Sequence, residues 1–152
     1  MVVSPGAKIE WIEKIDRIDR IDRIKLKKMD KSENWLKFKI DLRNRLRAFV
    51  LEVVQIVSSL PNTTPARVLG YQLMKSGTSA YANYRAALRA KSKAEFYNKL
   101  SLVVEGTDAS ESFLDLLIES GILKNEKINF LHNESLELIK ILASLRKSIT
   151  EN

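Results

Sequence analysis

Seven bases stand between Arg67 and Lys99, namely Arg67, Lys75, Arg85, Arg89, Lys91, Lys93 and Lys99, against the single acid Glu95. That is more lopsided than a solvated helix needs, and it points to a polyanion. Arg85 and Arg89 are spaced one helical turn apart and so share a face. A guanidinium fork donates two parallel hydrogen bonds to a phosphate. Tyr71, Tyr81 and Tyr84 stand in the same stretch, and an aromatic ring beside arginine suits the stacking of nucleic-acid bases. The candidate nucleic-acid contacts are Arg85, Arg89, Lys93, Lys99, Lys75 and Tyr81, with RNA or DNA as ligand. A second reading stays open. In it Tyr84 belongs to the core, and the bases pair with the acidic C-terminal third, within or between subunits.

Other chemistry finds little material. The chain has no Cys, which excludes disulfides, thiolate nucleophiles and zinc-thiolate sites. His132 is its one histidine. A metal site needs several convergent ligands and a Ser-His-Asp set needs a placed imidazole. His132, beside Asn133 and Glu134, is expected at a helix start as a surface or capping residue. Ser76-Gly77-Thr78 lacks the context of a phosphate-binding glycine loop. The expectation is a protein that is not an enzyme, with no catalytic residue, no metal and no cofactor.

The chain has 152 residues, enough for one domain with a sizeable core. Only 5 Gly and 3 Pro leave room for long helices. The net charge of +7 is unevenly spread: +4 over 1–40, +1 over 41–60, +6 over 61–100 and −4 over 101–152. The first ten residues hold no apolar signal core, and no apolar run reaches the roughly 18–20 residues of a membrane helix. A cytoplasmic protein without a membrane partner is expected, in keeping with the absence of Cys.

Hydrophobic periodicity supplies the elements that must carry the bases. Ile15-Asp16-Arg17 occurs three times over, closed by Ile24 and preceded by Ile9 and Ile12. A step of three drifts by roughly 60° on a helix, so these isoleucines wind around it and form no fixed face. Residues 1–30 are expected to be a helical or loosely ordered extension, or an arm that wraps a neighbour. A bundle domain follows over 31–152. Its first helix, about 31–59, carries Leu42, Leu46, Phe49, Val50, Val53, Val57 and Leu60 at steps of three and four. Pro61 to Pro65 breaks it. The second runs to about Ala90, with Leu69, Leu73, Ala80, Tyr84, Ala87 and Leu88 on its apolar side. Its small residues Gly77, Ser79 and Ala80 suggest a close approach to another helix, either within the chain or at a subunit interface.

Ser92 and Glu95 form a capping box that opens the third helix. Phe96, Leu100, Val103, Val104, Phe113, Leu114, Leu117 and Ile118 are its core candidates. Gly106 interrupts it, and Asp108 with Glu111 offers a restart. Gly121 ends it as a left-handed cap. The fourth helix begins between Asn125 and Glu134 and carries Leu138, Ile141, Leu142, Leu145 and Ile149. The fold class expected is all-α, an antiparallel up-down four-helix bundle with an N-terminal helical extension.

The segment from Ser76 through Tyr81, Arg85 and Arg89 to Phe96 resembles the four helix bundle protein family. That family is also called the large-subunit ribosomal RNA intervening-sequence protein family. The similarity continues through Asn98 to Ser101, Phe113 to Leu117 and the Gly121-Ile122-Leu123 turn, covering roughly 35–150. The resemblance implies an antiparallel bundle that assembles as a homopentamer. It also relates the chain to accessory proteins of reverse transcriptases in diversity-generating retroelements, which bind nucleic acid and the transcriptase through a basic surface. The ribosomal name records where some of these genes sit and assigns no activity. This chain departs from the family at Ala86, Gly106 and Ala109, where acids are usual, and at Phe113, where Trp is usual. Those changes make the region more basic and put any carboxylate-dependent role in doubt. The function expected is a non-enzymatic, oligomeric basic bundle that binds nucleic acid beside a nucleic-acid enzyme such as a reverse transcriptase. The alternative is a structural or adaptor ring that binds a protein partner.

Overall fold

The computed structural model describes residues 31–150. The Ile-Asp-Arg extension expected over 1–30 lies outside the described residues. Four helices follow in chain order: α1 (Lys31–Ser58), α2 (Thr64–Leu88), α3 (Lys93–Glu119) and α4 (Glu126–Thr150). Short connections make consecutive helices antiparallel neighbours. The most extensive packing is between α2 and α3, and α1 closes the bundle against α4 with the least.

The helix ends follow from local chemistry. Thr63 caps α2, its hydroxyl accepting from the Ala66 N–H at 3.3 Å, and Pro65 sits in the first turn. Ser92 caps α3 by accepting from the Glu95 N–H at 3.1 Å, and the Glu95 carboxylate reaches back to the Lys91 N–H at 3.0 Å. These contacts satisfy donors that a helix start otherwise leaves open. The Asn125 side chain does the same for α4 through the Ile128 N–H at 2.8 Å. Gly121 has φ +76°, the left-handed turn that sends the chain from α3 into α4.

The core is the merged apolar stripe of the four helices. Trp35, Phe38, Leu42, Leu46, Phe49, Val53 and Ile56 come from α1, and Leu73, Tyr84 and Ala87 from α2. Phe96, Leu100, Val103, Leu114 and Leu117 come from α3, and α4 contributes Leu138, Ile141, Leu142, Leu145 and Ile149. Burying such a side chain stabilises by about 1.5–3 kcal/mol relative to leaving it exposed. Several expected core residues sit at the rim: Val57, Leu60, Leu69, Leu88, Val104, Phe113 and Ile118 are half-buried. In α3 the buried line runs instead through Thr107 and Ser110. Apolar periodicity passes over these two because they are polar. Each returns its hydroxyl to the carbonyl four residues earlier, Thr107 to Val103 at 2.7 Å and Ser110 to Gly106 at 2.9 Å. The hydroxyls are therefore satisfied inside the core.

Small residues set the α2–α3 spacing. A Cβ on Gly106 would stand 3.0 Å from the Ser76 carbonyl oxygen and 3.2 Å from the Ala80 Cβ. Ser76 and Ser110 share a hydrogen bond of 2.8 Å across the same seam. Asp108 does not restart a helix, since α3 runs unbroken through Gly106. The small residues expected at a subunit interface divide here. Gly77 and Ala80 are buried inside the chain, with the Gly77 backbone against Val53 and Ser110. They cannot be surface contacts between subunits, because the bundle's own helices occupy them. Ser79 remains exposed.

Candidate nucleic-acid interface

Of the middle segment's bases, Arg67, Lys75 and Arg85 ride on α2 and Arg89 caps its end, and the helix has no Asp or Glu from Thr64 to Leu88. Its flanks are fixed by the contacts of Gly70 and Ser76. Gly70 lies against Val57 and Leu60, so that side of α2 faces α1. Ser76 bonds Ser110, so the other flank faces α3. Positions seven apart differ by only about 20° around a helix. Tyr81, four residues beyond Gly77, therefore lies on the α1 flank, and Asn83, seven beyond Ser76, on the α3 flank.

Arg85 is exposed, with its guanidinium over the Tyr81 ring at 5.8 Å. This cation–π contact holds the side chain along the α1 flank. Arg89 is exposed one turn further, at the C-cap of α2. A cation there is favoured by the helix dipole. Tyr84, between them in sequence, is fully buried, and its hydroxyl donates to the Lys39 carbonyl of α1 at 2.9 Å. Burial pushes its phenol well above the usual tyrosine range, opposed in part by the nearby positive charge of Arg43. Tyr84 is therefore a core tether between α1 and α2, while Tyr81 is half-buried and Tyr71 exposed.

The six expected contacts do not form one face. Lys99 is seven residues before Gly106 and so turns to the seam with α2, on the flank away from Arg85. Lys75 is exposed and lines an open groove between α2 and α3 with Ser79, Glu105, Gly106, Ala109 and Phe113. Gly106, Ala109 and Phe113 thus meet in that groove. Lys93 begins α3 in line with the buried Leu100 and is half-exposed. Among the described residues, none of the seven bases from Arg67 to Lys99 forms an ion pair within 4 Å. Two acids of the C-terminal third are engaged elsewhere. Glu134 takes Arg45 of α1 at 2.8 Å, and Glu111 takes His132 at 3.0 Å. His132 lies within α4, not at its start, and its ring bridges α3 and α4 from a half-buried position.

Segment-by-segment charge missed two arginines. Arg43 and Arg47 of α1 repeat the one-turn spacing of Arg85 and Arg89. Asp41 and Glu52 hide them in a stretch of net charge +1. Arg43 lies fourteen residues before Val57, the residue that meets Gly70, and so faces the α2 flank. The i, i+4 arginine spacing itself was the signal that would have found them.

Among the described residues, no three or more His, Cys, Asp or Glu are grouped to hold a metal ion, and no helix is long and apolar enough to cross a membrane. The fold and the site thus define a helical bundle with an unneutralised basic flank. The profile of the 23S rRNA-intervening sequence protein family matches residues 39–144. The chain belongs to that family. It is similar to a solved structure from Bacteroides thetaiotaomicron, a protein with unknown function from the S23 ribosomal protein family. The two share 31% identity and a TM-score of 0.66, over 72% of this chain and 97% of that one. None of the curated proteins is similar enough to match.

Proposed function

We propose that this protein is a non-enzymatic basic bundle that binds nucleic acid through α2, as an oligomer serving a nucleic-acid enzyme such as a reverse transcriptase. One observation carries the reading: Arg85 and Arg89 are exposed one turn apart on a helix without acids, and Arg85 is held over Tyr81. Unneutralised cations beside a ring suit a phosphate backbone with its bases at hand. The family resemblance supports assembly as a pentamer, in which the patch would repeat on each subunit and weak contacts would add.

Fluorescence anisotropy with labelled RNA and DNA, single-stranded and duplex, tests this at low salt. Binding without strong sequence preference is expected, and Arg85→Glu with Arg89→Glu should abolish it. Stability should fall by about 1–2 kcal/mol, from the lost Arg85–Tyr81 contact and an anion at the C-cap of α2, which leaves the bundle folded at the temperature of the binding assay. Absence of binding to every nucleic acid would refute the reading. Loss of the oligomer in the double variant would assign the arginines to assembly. Light scattering on the wild type checks the assembly itself, and a monomer at micromolar concentration refutes it.

The adaptor reading has its own support in exposed apolar side chains on α1 and α2, Leu51, Val54, Val68 and Tyr71. Co-purification of one stoichiometric protein, with no nucleic-acid absorbance, would favour it.

A further inference from the structure

We infer that Arg43 and Arg47 of α1 form the second wall of the nucleic-acid site, so that one single strand lies along the outer groove between α1 and α2. The inference rests on the nucleic-acid reading of Arg85 and Arg89 and extends it to the adjacent helix.

Charge pairing singles out these two residues. Arg43, Arg45 and Arg47 alternate along α1. Arg45 points to α4 and is neutralised by Glu134. Lys37, one turn before Asp41, is neutralised by that acid at 2.8 Å. Arg43 and Arg47, on the α2 side, have no carboxylate within 4 Å among the described residues. The Arg43 guanidinium bonds the Asn44 side chain at 3.4 Å, a neutral partner. α2, across the groove, has no acid to offer.

The Tyr84–Lys39 hydrogen bond fixes the register. Arg43 lies one turn beyond Lys39 on α1, and Arg85 directly follows Tyr84 on α2. Because the helices are antiparallel, Arg85 and Arg89 descend α2 from the level of that bond while Arg43 and Arg47 climb α1 from it, and the Arg85 guanidinium turns back over Tyr81. Like charges one turn apart repel, and so do charges across a groove. An anion threaded between the walls removes both penalties. Axes of packed helices lie about 8–10 Å apart, so the groove between them admits one backbone. A duplex is too broad to enter and would meet only one wall. Tyr71, fourteen residues before Arg85 and 66% exposed, stands in line above the arginines and offers a base a stacking surface.

The test uses the full chain and a fluorescein-labelled oligo(dT) of about 20 nucleotides. Four phosphate contacts predict about 50-fold weaker binding between 50 and 200 mM salt, at a slope of about 0.7 per contact. Arg43→Gln with Arg47→Gln should weaken binding at low salt as much as Arg85→Gln with Arg89→Gln. Each pair should cut the salt effect to about 7-fold, the value for two contacts. Thermal melts should stay within about 4 °C of wild type, the shift expected from loss of the Arg85–Tyr81 contact. If the α1 variant binds as wild type while the α2 variant does not, the second wall is wrong and the α2 reading stands. No binding by the wild type defeats both. Loss of binding in Lys75→Gln with Lys99→Gln, with both arginine pairs silent, moves the strand to the α3 flank and also overturns the inference. Duplex bound as tightly as oligo(dT) rejects the single-strand fit.

Discussion

Two glycines near the α2–α3 seam should respond to the same substitution with opposite signs. Each sits inside a helix, where glycine costs about 0.8–1.0 kcal/mol relative to alanine. Gly77→Ala should recover most of that, because a new Cβ would meet Ser110 and Val53 no closer than 3.8 Å, ordinary contact. At Gly106 the new Cβ would lie 3.0 Å from the Ser76 carbonyl oxygen, 3.2 Å from the Ala80 Cβ and 3.3 Å from the Ala80 backbone nitrogen. Two of these atoms are backbone of α2, so relief requires moving the helix. Moving it also strains the 2.8 Å Ser76–Ser110 bond. Overpacking of this kind costs about 1–3 kcal/mol, which outweighs the propensity gain. Gly106→Ala should therefore destabilise by about 1 kcal/mol, while Gly77→Ala stabilises by somewhat less. At about 2–4 °C per kcal/mol for a chain of this size, melts followed by circular dichroism will separate the two variants. Urea titrations give the same comparison without heating. A Gly106→Ala protein as stable as Gly77→Ala would refute the close approach of α2 and α3. A Gly77→Ala protein less stable than wild type would refute the room described beside Val53.

Two further perturbations follow from named contacts. Glu134→Ala should cost about 1.5–3 kcal/mol in urea melts, because it removes the half-buried hydrogen-bonded partner of Arg45. A change below about 0.5 kcal/mol would mean the pair is a solvated surface contact. Tyr84 should impose alkaline instability: its phenol stays protonated in the folded state above pH 10, where the unfolded chain releases the proton. The unfolded state then binds fewer protons, so stability falls as pH rises, by about 1.4 kcal/mol per unit above the ordinary tyrosine pKa. Tyr84→Phe should remove that slope in melts above pH 10, after losing about 0.5–1.5 kcal/mol at neutral pH with the bond to Lys39. An unchanged slope would place Tyr84 outside the sealed core.

The helices and their ends were legible because the signals are local. Ser92 with Glu95, Pro65 after Thr63, and Gly121 each act within a turn of where they stand, and the stripe Leu42, Leu46, Phe49, Val50, Val53 needs only the helical period. The third helix shows where such signals stop. Thr107 and Ser110 are polar by type, and their burial depends on hydroxyls returning to their own backbone and on a partner serine 34 residues away.

The sequence by itself determined that four amphipathic helices form, that α2 carries bases and no acids, and that Arg85 and Arg89 share a face. Only the tertiary structure decided which neighbour each flank meets. It turned Gly77 and Ala80 inward and placed Lys99 across α2 from Arg85. It turned Arg43 to the side of α1 that meets α2, near the buried Tyr84. The physical reason is that a helix fixes the angles among its own side chains through its backbone hydrogen bonds. The rotation of that helix against its neighbours is set by packing between residues far apart in the chain, here Gly106 on Ser76 and Tyr84 on Lys39.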